Sequence, residues 1–388
     1  DEDGEAIVAP YTIALPAPGS SAFWEASGQL GDGIADALAV LPDGRLVELG
    51  QHVVGGAQRC YLRRRDPGGA WAQSDVLALL PGGACAPLDL QVGPDGSIAI
   101  LALRPGKNGQ EWWLGVIDAW GASPKNVGAG SKDELAAALA IAGDGAIAVC
   151  GAAPTGLADR RDAAAWIFRT GKAGEMRTFD YRGVEGNKVH EFTETVRDCA
   201  FAGQALVMVG EVHGQHEKAP DPLRDRHFLH EFDLSTEEDR WRVGGVEGDL
   251  QSGARAIAID DQGRYLTAGF VCGDVCAPQA TLRLRDPADD FEWYADLGPL
   301  NGFSYGPHDL AWSPAGYAVL AAGGPVGEES AFWVRAFAPG QATPLWTYTR
   351  KEAGLFHMAR ALAIGPFGQV YAAGLGANFF PAVAYLGG

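Results

Sequence analysis

The chain has 388 residues, with 54 Gly, 23 Pro and 11 Trp; 47% of its side chains are apolar and 20% charged. That mixture excludes a disordered chain, which is poor in aromatics, and collagen, which needs Gly at every third position. With 30 basic and 49 acidic residues the net charge is −19, which repels phosphate backbones and anionic lipid, and no apolar run is long enough to span a bilayer.

The chain opens on Asp1-Glu2-Asp3-Gly4 without the basic and apolar segments of a secretion leader. If the protein is exported, that leader has been removed. A first strand candidate follows at Ala22-Phe23-Trp24-Glu25. From there one pattern recurs: a small apolar strand, a tight turn with Gly, and a second apolar strand. The copies are DALAVLPDGRLVELG from Asp36, LDLQVGPDGSIAILA from Leu88, AALAIAGDGAIAVCG from Ala137 and DCAFAGQALVMVG from Asp198. RAIAIDDQGRYLTAG from Arg255, HDLAWSPAGYAVLAAG from His308 and RALAIGPFGQVYAAG from Arg360 complete the series. Gly supplies positive φ in each turn without steric cost, and Pro presets the turn entry in several copies. Near-continuous apolar strands indicate burial on both faces.

A third, often aromatic, segment follows in most copies, as in Trp112-Trp113-Leu114 and Phe332-Trp333-Val334, and a fourth often carries Trp: Trp71, Trp241, Trp293, Trp346. Four strands per copy, at a period of about 50 residues, predict a propeller blade. The last copy ends on a third strand, Ala382-Val383-Ala384-Tyr385, and the spare strand near Trp24 supplies its fourth. The expected fold is therefore all-β: a single seven-bladed β-propeller spanning 1–388, with four-stranded blades and the segment 1–30 closing the last one. A β-solenoid is the alternative. The Arg255 copy, followed by Leu282-Arg283-Leu284-Arg285-Asp286-Pro287 and Trp293, resembles the secreted or lipoprotein β-propellers of myxobacteria and relatives, which carry bacterial propeller or delta-60 type repeats. That resemblance implies export and a binding or scaffold role, and transfers no catalytic residue.

Six cysteines, Cys60, Cys85, Cys150, Cys199, Cys272 and Cys276, form no zinc-type spacing. An even set of this kind predicts disulfides and an extracytoplasmic setting: periplasm, cell surface or medium. Cys272 and Cys276 are close enough to bridge; the other pairings stay open.

In a propeller the long loops gather on one face and the tight turns on the other, so the long-loop face is where a site is expected. Two constellations fall there. The first is the start of the inner strands, read as Asp36, Leu88, Ala137, Asp198, Arg255, His308 and Arg360. Arg255 and Arg360 are candidates for holding an anion, with Asp36, Tyr305 and His357 as further ligand-binding candidates. His308 is the candidate catalytic base, oriented by Asp309 or Asp198. The alternative is a structural ring of ion pairs. The second is EVHGQHEKAPDPLRDRHFLHEF, where His213, His216 and His227, with Glu217 nearby, are candidate ligands for zinc, copper or nickel. His227 and His230 should point to opposite sides of their strand. No nucleophile-elbow, phosphate-loop or dinucleotide motif is present.

Three functions follow: an exported scaffold presenting its loop face to a protein, glycan or small ligand; a hydrolase or lyase at the channel mouth; and a transition-metal-binding protein. A monomer is expected in each case.

Overall fold

The computed structural model describes residues 23–26, 33–65, 85–107, 109–156, 160–185, 188–214, 226–244, 251–272, 278–286, 291–299, 307–326, 329–350, 358–366, 368–375 and 381–385. Among them 28 strands, β1 to β28 in chain order, form seven antiparallel sheets. The protein is an all-β propeller. Five sheets have four strands, the first has three described strands and the fourth has five, so the expectation of four-stranded blades is corrected in the fourth blade, while the candidate fourth strand of the first falls outside the described residues. Trp71 lies outside the described residues. In the fourth sheet, β13 (Arg182–Glu185) pairs with the start of the long β14 (Lys188–Ala202), ahead of the part of β14 that pairs with the next strand.

We number the blades from their innermost strands: β2 (Gly33–Val40), β5 (Ala86–Val92), β9 (Leu135–Ile141), β14, β18 (Gln251–Ile259), β22 (Pro307–Ser313) and β26 (Met358–Ile364). Each touches the next, and β26 touches β2, so the inner strands close a ring. The ring is also closed by strand pairing as expected: β1 (Phe23–Ala26) pairs with β28 (Pro381–Tyr385), setting Trp24 against Ala384 and Phe23 against Tyr385. This seals the last sheet with the chain's own first strand and removes two sheet edges.

The tight turns form as the repeat predicts. Gly44, Gly96, Gly145, Gly203, Gly263, Gly316 and Gly368 all have φ between 63° and 84°. The apolar strands stack blade on blade. Leu49, Leu62, Leu90 and Ile100 pack between blades 1 and 2, and Leu101, Trp112, Leu139 and Val149 between blades 2 and 3. Each such side chain, taken fully from water, stabilises the fold by about 1.5–3 kcal/mol.

Every inner strand carries a β-bulge at one equivalent place. The extra residues are Asp36, Leu88, Ala137, Arg197, Arg255, His308 and Arg360. The bulge explains why the second strand of a copy so often ends in Gly. A Cβ on Gly50, Gly151, Gly210, Gly269 or Gly374 would fall on the carbonyl oxygen two residues before the bulge: Ile34, Leu135, Thr195, Gly253 or Met358. In the two blades with Ala at this place, Ala102 and Ala322, the opposing residue is proline, Pro87 or Pro307.

Two kinds of cross-link alternate around most of the ring. The inner strand of a blade exposes its unpaired edge amides to the channel, and those amides need acceptors. Asp89 supplies one carboxylate oxygen to the N–H of Leu90 (2.6 Å) and the other to the N–H of Leu139 in the next blade (2.6 Å). Asp198 does the same for Cys199 (2.7 Å) and Ile257 (2.8 Å), and Asp309 for Leu310 (2.7 Å) and Leu362 (2.6 Å). These staples join blades 2 to 3, 4 to 5 and 6 to 7. Disulfides join the alternate pairs: Cys60–Cys85 links blade 1 to the entry of blade 2, and Cys150–Cys199 links blade 3 to blade 4. Cys272 is buried, and Cys276 lies outside the described residues. Blades 5 and 6 meet through an apolar cluster that includes Leu284, Leu310, Leu320, Trp333 and Phe337. Blades 7 and 1 meet through β1, a small apolar cluster and the Arg360–Asp36 ion pair at 2.8 Å.

A candidate functional site at the loop-rich mouth of the channel

The channel holds a cavity of about 540 Å³ lined by all seven inner strands. At its loop-rich end the bulge residues form a ring, because a bulge re-aims the extra side chain away from the sheet faces. The register places Arg197 in this ring, not Asp198. The fourth copy is shorter, and aligning its aspartate with Asp36 slipped it by one; Asp198 corresponds to Asp89 and Asp309.

The corrected ring is uneven. Four consecutive blades contribute Arg197, Arg255, His308 and Arg360, whereas blades 1 to 3 contribute Asp36, Leu88 and Ala137. Glu211, buried in the second strand of blade 4 (Ala205–Gly214), organises half of the basic arc. It accepts from Arg197 Nε (3.0 Å) and Nη2 (2.8 Å), and Arg255 Nε lies 3.4 Å from its other oxygen. Gly253 leaves the room: a Cβ there would lie 2.5 Å from Glu211 Oε1. Arg255 also covers the Phe270 ring at 5.3 Å, a cation–π contact that helps fix its fork. Sequence reasoning missed Arg197 and Glu211. Glu211 sits at the end of an apolar strand, and its only signal is a charge where neighbouring copies are apolar.

His308 is partly covered, and its Nε2 is buried with no hydrogen-bond partner. Burial, then the charges of Arg360 and Arg255, push its pKa down to about 3. The imidazole is therefore neutral across the physiological range, with a ring nitrogen beside two guanidinium groups. Asp309 and Asp198 do not orient it as expected: both carboxylates bridge backbone amides of two blades. Their roles are reassigned to holding the ring together. Tyr305 and His357 lie outside the described residues.

Burial raises the pKa of Asp36 to about 7, against the pull of Arg360, and raises Asp89 to about 6 and Asp309 to about 7 against their amide donors. Asp198 is raised well above the usual carboxylate range by burial and by Asp89. The folded protein therefore holds protons that an unfolded chain gives up near pH 4. The stability these groups contribute is fully present below that pH and is lost as pH rises through 6 to 7. The melting temperature is expected to fall by about 5 °C or more between pH 5 and pH 8. Calorimetry across that window checks this, and Asp89→Asn should flatten the slope. A melting temperature that rises with pH would contradict it.

The histidine constellation is not a compact metal centre among the described residues, where no group of three His, Cys, Asp or Glu side chains could hold an ion. In the hairpin of the second and third strands of blade 4, Glu211 rather than His213 stands opposite His227. His213 Nε2 lies 3.1 Å from Thr195 Oγ1, and His227 Nδ1 lies 3.1 Å from Ser252 Oγ in the next blade. Burial lowers His227 to about 3. His230 points the other way, as its odd spacing predicts, and stacks on Phe179 and Trp241. His216 and Glu217 lie outside the described residues.

The fold and the ringed channel define a β-propeller with a polar mouth. No family model and no curated relative matches the sequence. Similar solved structures show the same fold at low identity. A polysaccharide lyase of family PL25, an ulvan lyase, is 12% identical with a TM-score of 0.61, covering 94% of this chain and 96% of its own. The same type of enzyme bound to -[GlcA(1-4)Rha3S]- gives 13% identity and a TM-score of 0.57, covering 92% and 94%. The propeller domain of the Trilobed protease from Pyrococcus furiosus, described as an open velcro topology, gives 10% identity and 0.53, covering 91% and 95%. In the present chain, by contrast, β1 pairs with β28. No described helix is long and apolar enough to cross a membrane.

Proposed function

We propose that the protein is an exported seven-bladed propeller that binds an anionic small molecule or glycan group at the loop-rich channel mouth. One observation carries this reading: four consecutive blades place Arg197, Arg255, His308 and Arg360 at the same bulge position around one cavity. Guanidinium forks suit carboxylate and sulfate oxygens, and a partly enclosed site strengthens the attraction. Two disulfides fit an oxidising compartment. The similar ulvan lyases fit a glycan ligand.

A second reading, a lyase or hydrolase, is favoured by the neutral His308 with its unpartnered Nε2. On a uronate, the guanidinium groups would offset the carboxylate charge while His308 took the proton of the adjacent carbon C5, the C4–O bond broke to leave a C4–C5 double bond, and the departing oxygen took up a proton from water. A metal site at His213, His216 and His227 has less support, since two of the three already engage hydroxyl groups.

Titration calorimetry with glucuronate tests the binding reading. Arg255→Ala and Arg360→Ala are each expected to weaken binding about tenfold or more, the worth of a charge-assisted contact. Glucuronate binding that survives both changes would overturn it. If the protein also forms an ultraviolet-absorbing unsaturated product from uronate polymers, His308→Ala should slow this by about 100-fold or more while the fold still melts cooperatively. Absence of product leaves a binder.

A further inference from the structure

The bulge ring is only the first polar level of the channel. One residue further along three of the inner strands lie Asp89, Asp198 and Asp309, on blades 2, 4 and 6, and they line the same cavity as Arg197, Arg255 and Arg360. The guanidinium groups already have two carboxylates: Glu211, shared by Arg197 and Arg255, and Asp36, paired with Arg360. Three cations therefore face five carboxyl groups. The remaining neighbours do not redress the balance. Glu48 acts on Asp36 from the next strand and is itself held by Arg63 through two hydrogen bonds of 2.9 Å, so that pair adds no net charge. Gln91 hydrogen-bonds Asp89, and β9 of blade 3 is apolar throughout. His308 is neutral, and His213 Nε2 stands 3.9 Å from Glu211.

With every carboxyl ionised, the cavity is negative before a ligand arrives, and an entering anion meets repulsion that three guanidinium forks cannot cancel. A proton on one of the aspartates removes a negative charge beside the bound anion. Burial makes such protons available near neutrality. It raises Asp89 to about 6 and Asp309 to about 7, and it raises Asp198 well above the usual carboxylate range with the charges of Asp89 and Asp309 adding to the effect. Resting on the binding reading above, we infer that the mouth takes up its anion together with a proton from solvent, the anion on the guanidinium forks and the proton on the carboxyl level of Asp89, Asp198 and Asp309 just below. The site then fills in acid and empties as the medium turns alkaline.

Titration calorimetry with glucuronate at pH 5.5, 7 and 8, where the ligand's own carboxylate is ionised throughout, tests this. Affinity is expected to fall about tenfold or more from pH 5.5 to pH 8. At pH 7, heats in buffers of different ionisation enthalpy should report uptake of about half to one proton per ligand. Asp89→Asn keeps an acceptor oxygen but cannot ionise, and should cut the fall to about threefold or less. Asp309→Asn gives the same reading should the Asp89 variant melt early. His213→Gln should leave the full fall in place. A fall unchanged in both aspartate variants, or abolished by His213→Gln, would overturn the inference. Constant affinity with no proton uptake would overturn it too, while the anion site stands. If glucuronate binds at no pH, the inference and the anion site fall together.

Discussion

Asp198→Ala is expected to destabilise the protein by about 2–5 kcal/mol, because it orphans two backbone amides at once, each worth roughly 1–3 kcal/mol when left without an acceptor. Those amides belong to Cys199 and Ile257, in adjacent blades. With an unfolding entropy of about 0.8 kcal/mol/K for a chain of this length, the melting temperature should drop by about 2–6 °C. Asp198→Asn keeps one acceptor oxygen and should lose about half as much. Thermal melts of the two variants, at a pH where Asp198 is protonated in the folded state, check the ranking. A melting temperature unchanged by Asp198→Ala would mean that the staples are ornamental, and that apolar packing alone joins blades 4 and 5.

The Cys150–Cys199 bridge should matter comparably. It closes a separation of 49 residues, and the chain-entropy argument puts its contribution at about 4 kcal/mol. Cys150→Ser is therefore expected to lower the midpoint of denaturant unfolding clearly, and a thiol reductant should have little further effect on this joint. Cys60–Cys85 spans 25 residues, so its loss should cost slightly less, about 3.5 kcal/mol. Cys199 directly precedes Ala200 on the inner strand and follows Asp198, so disulfide and staple meet in one strand. A double variant, Cys150→Ser with Asp198→Ala, should lose more than either single one; contacts this close rarely add independently. Identical midpoints with and without reductant in the native protein would contradict the account.

Much of the architecture was legible because its causes are local. Gly at each tight turn needs positive φ, and near-continuous apolar strands must bury both faces, so the repeat announces itself in the sequence. Closure was legible from arithmetic: a last copy short of one strand and a spare strand near Trp24. The bulge was not legible. It adds one residue without changing composition, and the shortened fourth copy allowed Asp198 to be set where Arg197 belongs. The signal was nonetheless present, since LDLQ, RDCA and HDLA alternate with copies carrying Ala after the bulge. That alternation is the trace of carboxylates shared between neighbouring blades. In a ring of seven they serve three pairs and leave blade 1 to be tied by Asp36 and Arg360. Glu211 was missed because a buried carboxylate in an apolar strand is meaningful only once its two guanidinium partners, 14 and 44 residues away in sequence, are brought beside it. The disulfide pairing required three dimensions for the same reason.

The histidines were legible only in part. Dense imidazoles in EVHGQHEKAPDPLRDRHFLHEF suggest a metal centre through His213, His216 and His227, of which His216 lies outside the described residues, and strand alternation sends His230, as expected, into the aromatic contacts with Phe179 and Trp241. His213 and His227 face Glu211, Thr195 and Ser252. They lie on the same side of blade 4 as the basic arc and extend its polar surface.

Growing crystals with 4-bromophenylacetate would locate the ligand directly, because bromine scatters anomalously. The carboxylate is expected among Arg255, His308 and Arg360 at the loop-rich mouth. A bromine peak on the tight-turn face, or confined to the grooves between blades while the mouth stays empty, would contradict it.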